Sequence, residues 1–508
     1  MDNHFNLIDE AWIPVVDVGR VSLRQIFSNV EYRGLGGNPV QKIALMKLLL
    51  AIAQAAITPA DIQEWKALGA RGLAKCCLDY LTQWHDQFYL YGARPFLQMP
   101  AIKAAARQSF GAVLPEVSTG NTTVLSQIQV ERPLEKADQA ILLVSLMAFA
   151  LAGKKTDNSI TLTTGYKGKR NDKDKPSSSK PGPAVAHMGL LHSFYVGESL
   201  QETLWLNLLT TQQLEQMKIF PQGVGRAPWE QMPEGEDCPT ARVLKQSLMG
   251  RLVPLCRFCL LDEKGVHYSE GLAHLGYKEG MADPTVAIDY TGRKPKALWV
   301  NPEKRPWREL TALLGFIEQN RAQGFESRQI RLGLERVRDV VDNFAIWSGG
   351  LRVSNNAGEQ YISGNDDFVE SMVWLHSDML GQVWFAEFKA QMSALDMLAK
   401  NLYDRVLGFF KEQLRVSGFF KEQLMDGSKK AAQASLLFWQ LCERDFQQLV
   451  DSCSPDEQGR KQQKQMRRRF AGYVQQVYDQ ACAKDTARQL DAWAKHRPNN
   501  SKYLKQEA

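Results

Sequence analysis

The 508-residue chain is too long for a single hydrophobic core and predicts two or three domains. Its 44% hydrophobic and 23% charged residues are globular composition, which excludes a disordered chain. A net charge of +6 is too small to name a partner by itself, so the position of the charges has to decide.

The eight cysteines are sparse and irregularly spaced, and Met1 to Glu10 is polar, without the apolar segment of a signal peptide. Ala140 to Gly153 reads as the most apolar run and falls short of the roughly 18 residues of a membrane span. A reducing, cytoplasmic location and no membrane partner are expected.

In chain order, Asn6 to Val16 and Val21 to Phe27 read as strands, and Gly34-Leu-Gly-Gly37 as a turn. A helix follows, with Val40, Ala44, Leu48, Ile52 and Ala56 on one face. Trp65 to Leu90 is again helical. Leu114 to Gln129, rich in Ser, Thr, Gly and Asn, is a loop, and Asp138 to Leu151 a buried helix. Lys154 to Pro183 is too polar to bury apolar surface and reads as a long exposed loop. Phe194 to Leu209 is strand or helix, Ala241 to Val300 short strands with turns, and Leu310 to Asp342 helical. Phe344 to Val353 and Gln360 to Ser363 flank Asn355-Asn356-Ala357-Gly358 as a hairpin, since Asn and Gly tolerate the positive φ of tight turns.

From Asp366 nearly everything to Trp493 is helix-forming, with breaks near Asp426-Gly427-Ser428, Ser452 to Gly459 and Asp485. The fold class expected is therefore α+β: a large mixed α/β N-terminal domain, 1–365, followed by a C-terminal bundle of about four helices, 366–508. The heptapeptide GFFKEQL occurs twice, at Gly408 to Leu414 and Gly418 to Leu424, and reads as a local duplication.

Enzyme signatures are missing from the sequence. It has no GxxxxGK[ST] phosphate loop and no HExxH zinc motif, and His85-Asp86 lacks the further His/Asp residues of a metal-dependent nuclease. Cys256-Arg-Phe-Cys259 is a lone CxxC. His267 and His274 could complete a zinc set, but the apolar surroundings suit free, packed cysteines equally well. No catalytic residue, metal or cofactor is expected.

Positive charge, by contrast, is segregated. Lys154 to Lys180 carries eight basic and three acidic residues, Gly292 to Arg308 six and one, and Arg460 to Arg469 six and none. The remainder of the chain is left net acidic, which is the distribution that backbone-phosphate binding needs. Solvated loops and a solvated helix face are the alternative. The small polar residues and amides of Ser118 to Gln129 and of the Asn355-Asn356 turn suit the minor groove, where acceptors are read by closely approaching donors.

Four stretches then resemble one family. Asn6-Leu-Ile-Asp-Glu-Ala-Trp-Ile-Pro-Val15 is similar to the opening strand of the CasA family, the large subunit of the type I-E CRISPR Cascade surveillance complex. Phe88 to Gln98 (FYLYGARPFLQ) resembles a second stretch of that family. Asp283-Pro-Thr-Val-Ala287 with Pro306-Trp-Arg-Glu-Leu310 resembles a third, and Gly349-Gly350-Leu-Arg352 leading into Asn355-Asn356 a fourth.

The resemblance implies a non-catalytic subunit at one end of an RNA-guided complex, with other Cascade subunits and the guide RNA as partners. It implies recognition of a short protospacer-adjacent motif in double-stranded DNA, strand opening by a wedge, and help in recruiting a helicase-nuclease; guide pairing reads the sequence. The minor-groove reader falls on Leu125, Ser126 and Gln127, where relatives place an aromatic and an Asn at the first and last. The glycine loop falls at Gly182 within a lysine-rich insertion carrying Lys167, Lys169 and Arg170. The wedge falls on Arg352, Asn355 and Asn356, where relatives carry a Gln tip, and further DNA contacts fall on Arg293, Lys294 and Lys296. A metal-dependent nuclease and a purely structural scaffold remain the alternatives.

Overall fold

The computed structural model describes residues 4–114, 133–149, 156–176, 189–318, 324–352, 368–414 and 421–505. It divides into two compact units, Met1–Phe316 with Ala322–Met372 and Ile317–Arg321 with Val373–Ala508. The first is mixed helix and short strand, the second helical, so the fold class is α+β with a C-terminal helical region.

The centre of the first unit is the helix Pro39–Ala56. Asn38 starts it with a reciprocal cap: its side chain accepts from the Gln41 N–H (3.0 Å) while the Gln41 side chain accepts from the Asn38 N–H (3.1 Å). Proline at the first helical position adds a preset φ. The sequence pattern predicts one apolar face, but Ile43, Leu45, Leu49 and Leu50 are as buried as Val40, Ala44, Leu48 and Ile52. Helix Lys136–Ala148, helix Ile62–Gln83 and strand Asn343–Leu351 all pack on it. Among the described residues it is the one helix long and apolar enough to cross a membrane, and the core it lies in accounts for that apolarity.

Ile62–Gln83 turns at Gly69, whose φ of 60° is left-handed. It is joined to the helix Leu200–Asn207 by two tryptophans that exchange hydrogen bonds. Trp65 Nε1 donates to the Trp205 carbonyl and Trp205 Nε1 to the Trp65 carbonyl, both at 2.9 Å, with rings stacked 4.3 Å apart. The Arg336 guanidinium lies 4.4 Å from the Trp65 ring centre and donates to the Gln213 side chain (3.0 Å) and the Leu206 carbonyl (3.1 Å).

The sheets are small. Gly265–Glu270 lies between Arg257–Leu261 and Arg107–Ser109, antiparallel to both. Asn343–Leu351 lies between His192–Val196 and Phe368–His376. His4–Asn6 pairs with Tyr89–Tyr91, Ile13–Val15 with Gly19–Val21, and Ile288–Asp289 with Lys296–Ala297. The predicted helix to Leu90 thus ends at Gln83, because Tyr89–Tyr91 is a strand. The described return strand of the Asn343 sheet starts at Phe368; Gln360 to Ser363 lie outside the described residues.

The second unit is built on helices Gln382–Leu414, Lys421–Arg444 and Glu457–Ala481, with shorter helices Phe446–Ser452, Ala487–Lys495 and Ser501–Lys505. Trp384, Phe388, Leu395, Leu402, Val406 and Phe409 are buried at spacings of three, four and seven, the stripe of a helix with one core face. The expected breaks near Ser452 and Asp485 are present. The one at Asp426-Gly427-Ser428 is not: the helix runs through, and a Cβ on Gly427 would sit 3.0 Å from Phe410, so this glycine serves close packing. The first GFFKEQL copy closes its helix at Leu414, and the KEQL of the second opens the next at Lys421.

Replacing Trp65 with Phe removes one buried hydrogen bond and leaves the Trp205 carbonyl only the Leu208 N–H, at 3.2 Å, as a donor. The expected loss is about 2 kcal/mol, and a smaller increment when Trp205→Phe is added. Urea unfolding followed by circular dichroism measures both.

Candidate nucleic-acid interface

Two basic loops of the first unit show how the backbone holds cations outward. Segment 156–176 is rooted by Asp157. Its backbone N–H donates to the Tyr268 carbonyl (2.8 Å), and its side chain accepts from the Ala106 N–H (2.8 Å) and the Ser159 N–H (3.0 Å). At the outer turn the Asn171 side chain accepts from the N–H groups of Lys173 (2.9 Å) and Lys175 (3.1 Å), which fixes the turn without a sheet. Lys167, Arg170, Lys173 and Lys175 are exposed there. Arg170 donates to the Asp174 carbonyl at 2.7 Å.

Lys169 is different, and its predicted role is corrected. Its side chain is 1% exposed, and its ammonium meets the Ile160 carbonyl (3.0 Å), the Ser269 hydroxyl (2.9 Å) and the Glu236 carboxylate (2.7 Å). All three ammonium hydrogens are engaged, so no phosphate can be reached. Glu236, equally buried, also accepts from the N–H groups of Leu162 (3.1 Å) and Thr163 (2.8 Å). Burial works to raise the Glu236 carboxyl; the Lys169 ammonium and the Thr163 N–H outweigh it and hold the group below its ordinary value of 4.5. Lys169 is the anchor of the basic loop.

The second loop is the hairpin between Ile288–Asp289 and Lys296–Ala297. Asp289 pairs in register with Lys296, and its side chain accepts from the Thr291 N–H (2.9 Å) and hydroxyl (2.6 Å). Beneath it Leu190, Tyr277, Ala282, Val286 and Ile288 form a small apolar cluster joined by Ala297 and Trp299. Arg293, Lys294 and Lys296 are exposed, and no carboxylate pairs with them among the described residues. Further along the same basic run Lys304 is already paired with Glu309 at 2.7 Å. The run is therefore two kinds of cation, one committed within the chain and one open to solvent.

In the second unit the run Arg460 to Arg469 lies on helix Glu457–Ala481. Arg460, Lys464 and Arg468, four apart, form one exposed stripe. Arg467 is buried, Lys461 lies 2.9 Å from Glu457, and Arg469 is bound to Asp445. Arg352 is half-buried where strand Asn343–Leu351 ends. Leu125, Ser126, Gln127, Gly182, Asn355 and Asn356 lie outside the described residues.

The CxxC and its histidines do not converge on a metal. Burial pushes the Cys256 thiol up to about 12 and Cys259 higher still, against the thiolate that zinc binds. His274 contacts the Pro254 carbonyl through Nε2 (2.6 Å) and Arg251 through Nδ1 (3.1 Å), and burial first, then Arg251, lowers it to about 3. His267 Nδ1 lies 2.8 Å from the Ala105 carbonyl. His85 is bound on the surface to Asp9 at 2.7 Å. Among the described residues no three His, Cys, Asp or Glu side chains form a group that could hold an ion.

The family model of the CRISPR-associated protein Cse1 matches residues 6–477. The CRISPR-associated protein CasA/Cse1 of Thermus thermophilus is 30% identical over 342 residues, 61% of this chain and 60% of its own length, so the match spans about three-fifths of that relative. The crystal structure of Thermobifida fusca Cse1 shares the fold with a TM-score of 0.71 at 21% identity, covering 98% of this chain and 96% of that one. A chain of a solved CRISPR RNA-guided surveillance complex does so with 0.66 at 16%, covering 99% and 100%.

Glu236→Gln leaves the Lys169 charge buried without its counter-ion, so a loss of about 3–5 kcal/mol is expected, with Lys169→Met/Glu236→Gln costing much less than the two single changes together. A double-mutant cycle in urea tests this. Because the Glu236 carboxyl is held low, the ion pair stabilises fully above pH 4.5 and is lost as pH falls below that value. Protease cutting within 156–176 should rise on acidification, and Lys169→Met/Glu236→Gln should flatten that rise.

Proposed function

The chain belongs to the CRISPR-associated protein Cse1 family, also written CasA, and from that premise we propose that it is the large, non-catalytic subunit of a type I-E Cascade surveillance complex. In this reading it grips double-stranded DNA, recognises a protospacer-adjacent motif and begins strand separation. Other Cascade subunits and a guide RNA are its partners, and a helicase-nuclease is recruited afterwards.

The observation that carries the DNA-binding part is the state of the exposed cations. Lys167, Arg293, Lys294 and Lys296 project from pinned backbones and have no carboxylate partner among the described residues. Surface lysines and arginines placed for solubility or helix support are commonly matched with nearby acids, as Lys304 and Lys461 are here. Cations on ordered turns that form no ion pair within the described chain suit an external polyanion.

Magnitudes divide the labour. Opening one base-pair step costs on the order of 1.4 kcal/mol of stacking, and wedging it apart a few kcal/mol. A handful of phosphate contacts and one inserted turn at Asn355-Asn356 meet that for the first step or two. They do not open a whole protospacer, so guide pairing drives the rest. A minor-groove reader distinguishes mainly A·T from G·C, which predicts a permissive motif.

Arg293→Ala/Lys294→Ala/Lys296→Ala should lower the slope of log binding constant against log salt by about 2 to 3 for a duplex probe, with unchanged unfolding. An unchanged slope removes the hairpin from the interface. In the assembled complex, Asn355→Ala/Asn356→Ala should retain assembly and duplex binding while slowing permanganate reactivity at motif-proximal thymines. Wild-type reactivity would discard the wedge, and cleavage of DNA by the purified chain with Mg²⁺ would favour the nuclease alternative.

A further inference from the structure

Beside the open cations of the hairpin 288–297 stands a tyrosine that the charge count passes over. Tyr290 is 40% exposed, yet its hydroxyl donates to the Tyr277 carbonyl at 3.1 Å. The hydroxyl is thus tied to the chain while the residue as a whole stays open to solvent. Tyr290 directly follows the strand Ile288–Asp289, and its hydroxyl bond ties it to the backbone of Tyr277, a member of the apolar cluster beneath the hairpin. The hydroxyl tether and the Asp289–Thr291 turn hold the ring's root in place, so little conformational freedom remains to be lost on contact.

Its surroundings are cationic. Arg293, Lys294 and Lys296 belong to the same hairpin, and the Lys278 ammonium lies 6.0 Å from the centre of the ring of Tyr277, the residue whose carbonyl tethers Tyr290. Two acids stand nearby, each bonded to the backbone: Asp289 accepts from the Thr291 N–H, and the exposed Glu279 accepts the Gly276 N–H at 2.9 Å. A single exposed aromatic is ordinary on a protein surface. A tethered ring flanked by open cations is the arrangement that binds unpaired nucleotides, because every base has a face to stack while the phosphates on either side need counter-charge.

We infer that Tyr290 is a stacking platform for an unpaired nucleobase of a bound DNA strand, with Arg293, Lys294 and Lys296 holding the flanking phosphates. The inference rests on the nucleic-acid reading above and adds a site for single-stranded DNA to it. A base released from pairing gains a partner on the protein, which biases the opened strands against closing.

The test compares the full-length chain on two labelled probes, an oligothymidine strand and a mixed-sequence duplex, by fluorescence anisotropy. Tyr290→Ala should weaken the strand by about 10-fold and leave the duplex unchanged, whereas Tyr290→Phe, which keeps the ring, stays within about 2-fold of wild type and Tyr290→Trp binds as well or better. Equal strand affinity for Tyr290→Ala and wild type overturns the inference, and so does a Tyr290→Phe as weak as Tyr290→Ala, which would make the hydroxyl tether the active part. If Arg293→Ala/Lys294→Ala/Lys296→Ala weakens both probes while Tyr290→Ala weakens neither, the stacking site fails and the phosphate reading stands. If wild type binds neither probe, both fall together.

Discussion

A lysine in the middle of an apolar helix is the constraint on which the first unit depends. Lys47 is 1% exposed within Pro39–Ala56, a segment packed on all sides. An ammonium there is tolerable only with an opposite charge and full hydrogen bonding. Asp283 supplies the charge, and the Arg251 carbonyl accepts a second bond at 3.3 Å. Asp283 also accepts from the Thr285 N–H (3.0 Å) and hydroxyl (2.7 Å), and the Thr285 hydroxyl meets His192 Nδ1 at 2.8 Å. One buried charge thus ties the central helix, the turn at Arg251 and the strand His192–Val196 to the segment 283–285. That segment runs directly into Val286 and Ile288, the floor of the basic hairpin. The position of the outward cations is therefore inherited from an ion pair deep in the core.

Lys169 repeats the device at the other loop. Lys167 and Lys169 stand two residues apart in the same basic run, with equal weight in any count of charge. One is exposed and the other buried against Glu236. Composition sees a sum; only the turn geometry decides which ammonium faces solvent. That is why the basic run is legible as a loop while Lys169 reads as one more contact to DNA. Nothing local marks it, because its partners Ser269 and Glu236 lie far along the chain.

The legible parts share a physical cause. Helices with one core face, such as Gln382–Leu414, announce themselves by spacing. The stretches that carry the family resemblance are packing residues: Trp12 is fully buried, Phe88 stacks on Phe96 at 4.7 Å, Gln98 binds the Leu90 carbonyl at 2.6 Å, and Asp283 holds Lys47. A shared core limits what can stand at such positions, so they resemble one another even at low overall identity. Gly427 reads as a break because glycine signals both a turn and a close helix contact, and only the neighbour Phe410 distinguishes them. Tyr290 escapes notice for the opposite reason, since a lone aromatic between charged residues has no periodicity to betray it.

The same distinction bears on how the surface can act. A flexible lysine that is ordered on binding loses up to about 2 kcal/mol of side-chain freedom, as much as one screened surface contact returns or more. Fixing the backbone beneath it does not remove that loss, but it spares the additional cost of ordering the loop, about 1–2 kcal/mol for each residue. In both loops the fixing is done by side chains that bind backbone N–H groups, Asn171 in one and Asp289 in the other. Each occupies an acceptor with the chain itself, and the cations beside it are left to face outward. Rigidity thus comes from within each loop: an acid or amide that binds the backbone orders the turn from which the cations project.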